Sequence, residues 1–109
     1  VEKSAILMIR KMGMKFEDLS VIIRSHQTDL NQRGVKNIAV FGSVARGTAS
    51  VKSDVDILVE FSSPVGVFEF VRLKMQLEEW LGCPVDLVTP DALHPALSKR
   101  ILNEAIYVC

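Results

Sequence analysis

What this chain has little of narrows its class before any motif is read. It has no charge excess, because 13 Lys and Arg balance 13 Asp and Glu. A protein that grips a nucleic-acid backbone usually shows a basic surplus or stripe. The balance therefore argues against a templated polymerase and against nucleic acid as the direct substrate. Cysteine is scarce: Cys83 and Cys109 are far apart and form no Cys-x-x-Cys. Two reduced thiols are expected, Cys83 buried at a strand start, and neither has the neighbouring His that would activate it. No apolar run is long enough to span a membrane. No basic start leads into an apolar signal segment, so the cytoplasm is the expected location. Internal repeats and low-complexity stretches are also missing.

What is present suits a single domain over residues 1–109, 49% hydrophobic and able to build a core without staples. Ser4 to Met12 has helical apolar spacing ended by Gly13 and reads as a helix or an N-terminal arm. A second helix is expected from about Glu17 to Arg33, with Leu19, Ile22, Ile23 and Leu30 inward and Gly34 ending it. His26 on that helix reads as a surface or partly packed side chain. Strands are expected over Asn37 to Phe41, Asp54 to Phe61 and Val85 to Val88. A helix from about Gly66 to Leu81 presents Phe68, Val71, Met75 and Trp80, with Trp80 expected as a core anchor. A last helix from His94-Pro95 to Glu104 should turn Leu97, Ile101 and Leu102 inward. Ile106 to Val108 closes as an edge strand.

One stretch organises the rest. The apolar run Ile38-Ala39-Val40-Phe41 ends in Gly42-Ser43, with Ser43 placed to cap a short helix through Val44, Ala45 and Arg46. A strand that delivers a Gly-Ser turn into a helix start points backbone N–H groups outward and lets a phosphate approach closely. After ten intervening residues, Val44 to Ser53, come Asp54 and Asp56, two apart, so that both project from one face of a strand while Val55, Ile57, Val59 and Phe61 fill the other. Two carboxylates this close repel unless they share a proton or a cation. A hard cation that takes carboxylate and phosphate oxygens, Mg²⁺, suits the pair. Alone, a Gly-Ser turn is mostly a turn and an Asp-x-Asp mostly a solvated loop; together, each at the end of an apolar strand, they are far more specific.

Asp86 sits between Val85 and Leu87 on the third strand. Burying it would be costly unless it were paired or held a metal, so it reads as a third carboxylate of the site. The alternative is a structural Asp that caps a loop or bridges Arg46. Glu60 is a weaker candidate on the Asp56 face. Arg46 could contact phosphate or orient an aspartate, and a salt bridge to a surface acid accounts for it equally well. Ser53 stands just before the acids and could be a turn residue only.

Gly42-Ser43, ten residues, then Asp54-Val55-Asp56 resembles the signature of the nucleotidyltransferase superfamily that includes DNA polymerase beta and kanamycin nucleotidyltransferase. The fuller string, Gly42-Ser43-Val44-Ala45-Arg46-Gly47 through Ser53-Asp54-Val55-Asp56-Ile57-Leu58-Val59-Glu60-Phe61, is similar to the minimal nucleotidyltransferases, or MNT proteins. These are small prokaryotic proteins often paired with a HEPN-domain toxin. The resemblance runs from about Val35 to Val108, with no departure inside the two motif segments. It implies a polymerase-beta-like α/β (α+β) domain, a short mixed sheet with packed helices. It implies transfer of AMP from ATP to a hydroxyl with pyrophosphate leaving, a two-metal Mg²⁺ site on Asp54, Asp56 and Asp86, and phosphate contacts from Gly42, Ser43, Arg46 and Ser53. It implies a partner, a cognate HEPN ribonuclease toxin silenced by adenylylation of a tyrosine. A homo-oligomer stays open. Two other readings stand: an enzyme modifying a small hydroxyl compound, for which 109 residues leave little room, and an antitoxin that acts by binding alone.

Overall fold

The computed structural model describes residues 14–49 and 54–108. In chain order the elements are α1 (Phe16–Ser25), α2 (Gln27–Gln32), β1 (Val35–Phe41), α3 (Gly42–Arg46), β2 (Val55–Phe61), α4 (Val67–Leu81), β3 (Val85–Val88), a 3₁₀ turn (Pro90–Ala92), α5 (Pro95–Glu104) and β4 (Ile106–Tyr107). The expected helix over Ser4 to Met12, and Ser53, fall outside the described residues.

The strands form one mixed sheet in the order β3-β2-β1-β4. β1 runs antiparallel to β2 and to β4, whereas β2 and β3 are parallel. A parallel pair needs a crossover, and α4 supplies it. Strand alternation sends Ile38 and Val40, Val55, Ile57 and Val59, and Val85 and Leu87 into one buried layer, where they meet Leu19, Ile23, Leu30, Leu73, Leu77 and Leu81 from the helices. On the opposite face Asp56, Glu60 and Asp86 remain at least partly accessible, whereas Leu58 and Ala39 are buried there. The sheet thus has a core face and a second face on which the acids are open.

Several expectations are corrected. The long helix expected over 17–33 is two helices, because His26 leaves helical geometry at φ −110° and ψ 20°. The buried positions Leu19, Ile23 and Leu30 are spaced so that residue 26 falls on the same stripe. A polar ring there would enter the core; instead the chain breaks, and the imidazole stacks on Trp80 with ring centroids 3.9 Å apart. Trp80 is accordingly half-buried at the core's rim rather than an anchor inside it. On α4 the inward stripe is Leu73, Leu77 and Leu81, while Phe68 and Met75 are 78% and 63% exposed. This helix is apolar on two faces, and its phase is decided by what it meets. α5 buries none of its residues, so Leu97 and Leu102 do not point inward as expected. Cys83 is half-buried in the turn ahead of β3 rather than buried in a strand.

Candidate active site

β1 ends at Phe41, and the chain turns at Gly42 with φ +70°. That left-handed backbone strongly favours glycine. A second constraint acts at the same residue: a Cβ on Gly42 would lie 2.1 Å from Asp56 Oδ2. The glycine is therefore required by the carboxylate that packs against it, as well as by the turn. α3 begins at Gly42 itself with Phe41 at its N-cap and no side-chain cap. Ser43 lies in the first turn and is not the expected cap. Its carbonyl accepts the Thr48 N–H at 2.9 Å, which closes the end of the turn.

Asp56 reaches Gly42 because β2 is registered on β1 with Phe41 opposite Asp56. On its other side the parallel pairing sets Asp56 opposite Asp86. Asp54 is just outside β2, which begins at Val55. Asp86 is exposed, contrary to the expectation of a buried acid, because β3 alternates with Val85 and Leu87 inward and Asp86 outward. The entry of β3 is held by two bonds. Glu78 Oε2 accepts the Val85 N–H at 3.0 Å, and the Pro84 carbonyl accepts the Val55 N–H at 3.0 Å. The second ties the two acid-bearing strand starts together, and the first ties β3 to α4.

The electrostatics follow from this placement. Burial raises the Asp56 pKa above the ordinary carboxylate value, and the charges of Asp86, Asp54 and Glu104 raise it further, with Arg46 acting the other way. Fixed negative charge crowded around one half-buried carboxylate is a site in want of a cation. The donor set is all carboxylate oxygen, which suits a hard ion such as Mg²⁺. Among the described residues, no three His, Cys, Asp or Glu side chains are gathered closely enough to hold a metal ion. Asp54 and Asp86 flank Asp56 rather than converging with it on one point.

Arg46 extends from the end of α3 and pairs with Glu104 at 2.5 Å. The salt-bridge alternative thus holds for Arg46, with its partner on α5 and not Asp86. Glu104 drew no attention in the sequence, where a single acid at a helix end carries no signal. Glu60, the weaker candidate, accepts the Tyr107 hydroxyl at 3.4 Å. Among the described residues, two depressions of about 500 Å³ lie away from the three aspartates, one beside α3 against Phe16 and Arg46, the other at the far end of β2 against Phe70 and Pro90.

A family model described as a nucleotidyltransferase domain matches residues 23–108. A protein adenylyltransferase, MntA, of Thermococcus cleftensis is 41% identical over 96 residues, covering 87% of this chain and 97% of that protein. A solved structure described as a minimal nucleotidyltransferase superposes with a TM-score of 0.75 at 39% identity, over 85% of this chain and 95% of that one. The fold is also shared, at a TM-score of 0.62 and 18% identity, with a structure of a tri-AMPylated Shewanella oneidensis HEPN toxin in complex with its MNT antitoxin; that match covers 84% of this chain and 71% of the other.

Proposed function

This chain belongs to the nucleotidyltransferase-domain family, and from that premise we propose that it transfers AMP from ATP to a tyrosine of a HEPN-domain toxin and thereby acts as its antitoxin. The observation that carries the reading is the contact between Gly42 and Asp56. It joins the turn that would take phosphate to the carboxylate that would take metal, leaving no room for a methyl group between them. The relative's name, protein adenylyltransferase, supports AMP as the group moved. The HEPN complex with the shared fold supports the partner.

In this reading Asp54, Asp56 and Asp86, which lie side by side without converging on one point, would have to draw together to hold Mg²⁺. When bound, Mg²⁺ neutralises charge on the triphosphate and on the leaving pyrophosphate. The backbone of Gly42 and Ser43 holds phosphate oxygens, and Arg46 adds a charge-assisted contact from α3. Ser53, next to Asp54 in the sequence, is assigned a further phosphate contact. The acceptor tyrosine oxygen bonds to the α-phosphorus as the bond to the bridging oxygen breaks. Its proton passes to the carboxylate of Asp86, which is exposed on the open face and so reachable by another protein. No helix among the described residues is long and apolar enough to cross a membrane.

The test exploits turnover. A small amount of this protein with ATP and Mg²⁺ should add one or more AMP units to a tyrosine of excess HEPN partner, read by intact-mass spectrometry. Asp54→Ala/Asp56→Ala should still bind the partner and add nothing. Unmodified partner, together with full neutralisation by the double variant, would show that binding alone suffices and would overturn the enzymatic reading.

A further inference from the structure

Glu104 is placed where elementary electrostatics disfavours it. It is the last residue of α5, at the negative end of a helix that has no basic residue in its last turn. Its charge is also felt at Asp56, where it adds to the repulsion from Asp86 and Asp54. A carboxylate that opposes both a helix terminus and an acidic site needs a reason to be there. The structure supplies one: Glu104 Oε1 accepts a hydrogen bond from Arg46 Nη1. The side chain of Glu104 is 22% exposed, whereas that of Arg46 is 54% exposed. The acid is thus the fixed member and the guanidinium the presented one.

The backbone explains the fixity. Two residues after Glu104, β4 begins, and it pairs Ile106 with Val40 and Tyr107 with Ala39. Val108 N–H then donates to the Ile38 carbonyl at 2.8 Å. Glu104 is therefore tethered to the strand that ends in the Gly42 turn. The rest of α5 buries nothing. Its consequence for the site is to deliver one carboxylate beside α3.

We propose that Glu104 is a positioning residue for ATP binding: it holds the Arg46 guanidinium above the acidic face, with the remaining N–H donors directed to the triphosphate. A guanidinium has five N–H donors in a rigid fork, so one bond to Glu104 leaves several for phosphate oxygens. Without Glu104, Arg46 is left to compensate Asp56, whose charge it already offsets. Arg46 would then turn away from the nucleotide and occupy a carboxylate that the cation needs. The proposal rests on the nucleotidyltransferase reading above, and its test separates the two.

Binding of ATP with Mg²⁺ is titrated calorimetrically for the wild type, Glu104→Gln, Arg46→Ala and the double variant. Glu104→Gln removes a negative charge, so simple Coulomb attraction would tighten ATP. The positioning role requires the opposite, a weakening of about fivefold. The melting temperature should fall by no more than about 5 °C, because a solvent-exposed ion pair adds little to stability. In the Arg46→Ala background the sign should reverse, with Glu104→Gln leaving ATP affinity unchanged or slightly tighter, because the residue acts only through Arg46. Unchanged or tighter binding by the single variant would overturn the proposal, as would an equal weakening with and without Arg46. A wild type that binds no ATP would overturn the nucleotidyltransferase reading itself, and the positioning role with it.

Discussion

Gly42→Ala probes the link between the turn and the acid most directly. Two costs can be separated. The first is backbone: holding a residue with a Cβ at φ +70° costs about 1–2 kcal/mol. The second is steric, because the new Cβ would lie 2.1 Å from Asp56 Oδ2 and 3.0 Å from its Cγ. The carboxylate must swing away, at about 0.5–1.5 kcal/mol if the side chain leaves its rotamer well. Release of a half-buried carboxylate toward water offsets part of that. Gly34 is the control: it has φ +80° and nothing within 4 Å of an added Cβ, so Gly34→Ala bears the backbone cost alone. Gly34→Ala should lose about 1–2 kcal/mol, a fall of about 4–15 °C in melting temperature for a domain of this size, and Gly42→Ala about 0.5–1.5 kcal/mol more before that offset. The difference in stability is small; the difference in activity is not. A displaced catalytic group costs on the order of 100-fold for an ångström of misplacement. Gly42→Ala should therefore lose at least about 100-fold in AMP transfer to the partner, while Gly34→Ala stays near wild type below its melting point. In an Asp56→Ala background the extra destabilisation of Gly42→Ala over Gly34→Ala should vanish. The reasoning fails if Gly42→Ala keeps transfer within about tenfold of wild type, or if its excess cost survives removal of the Asp56 side chain.

Three further outcomes follow from the packing and the charges. The Asp56 pKa is raised in the fold, so its contribution to stability is fully present below the unfolded carboxyl's value near 3.9 and is lost as pH rises through the raised folded value. Asp56→Asn should accordingly melt above the wild type at pH 7 without Mg²⁺ and converge with it in acid; a constant offset at every pH would refute this. Leu77→Ala on the buried stripe of α4 should cost about 2–5 kcal/mol in denaturant unfolding, whereas Met75→Ala on the exposed face should stay within about 0.5 kcal/mol. Equal costs would show that the helix is phased wrongly. Glu78→Ala leaves the Val85 N–H without its acceptor at the mouth of β3 and should cost about 1–2 kcal/mol, with faster amide exchange at Val85 than in the wild type.

The sequence by itself determined the strand that ends in Gly42-Ser43, the alternation that turns Asp54 and Asp56 away from the core, and the chemistry those residue types suit. These are local facts: period-two patterning, a residue that tolerates positive φ, and hard oxygen donors, all read within about 20 residues of one another. The helix between the second and third strands was equally legible from its apolar spacing and its closing glycine, and the parallel pairing it bridges came from the structure. What the tertiary structure decided concerns partners distant along the chain. Helix α4 carries two apolar faces, and contact with the sheet, not periodicity, selects Leu73, Leu77 and Leu81. The break at His26 answers a stacking partner 54 residues further on, at Trp80. Asp86 looked buried because its neighbours are apolar, yet an edge strand needs only one buried face, so it points to the open side. Gly42 could be assigned to a turn from sequence, but that its missing side chain makes room for Asp56 follows only from the register of β1 on β2. Glu104 had no local signature, because its role depends on β4 returning α5's last residue to the side of α3, where Arg46 is within reach.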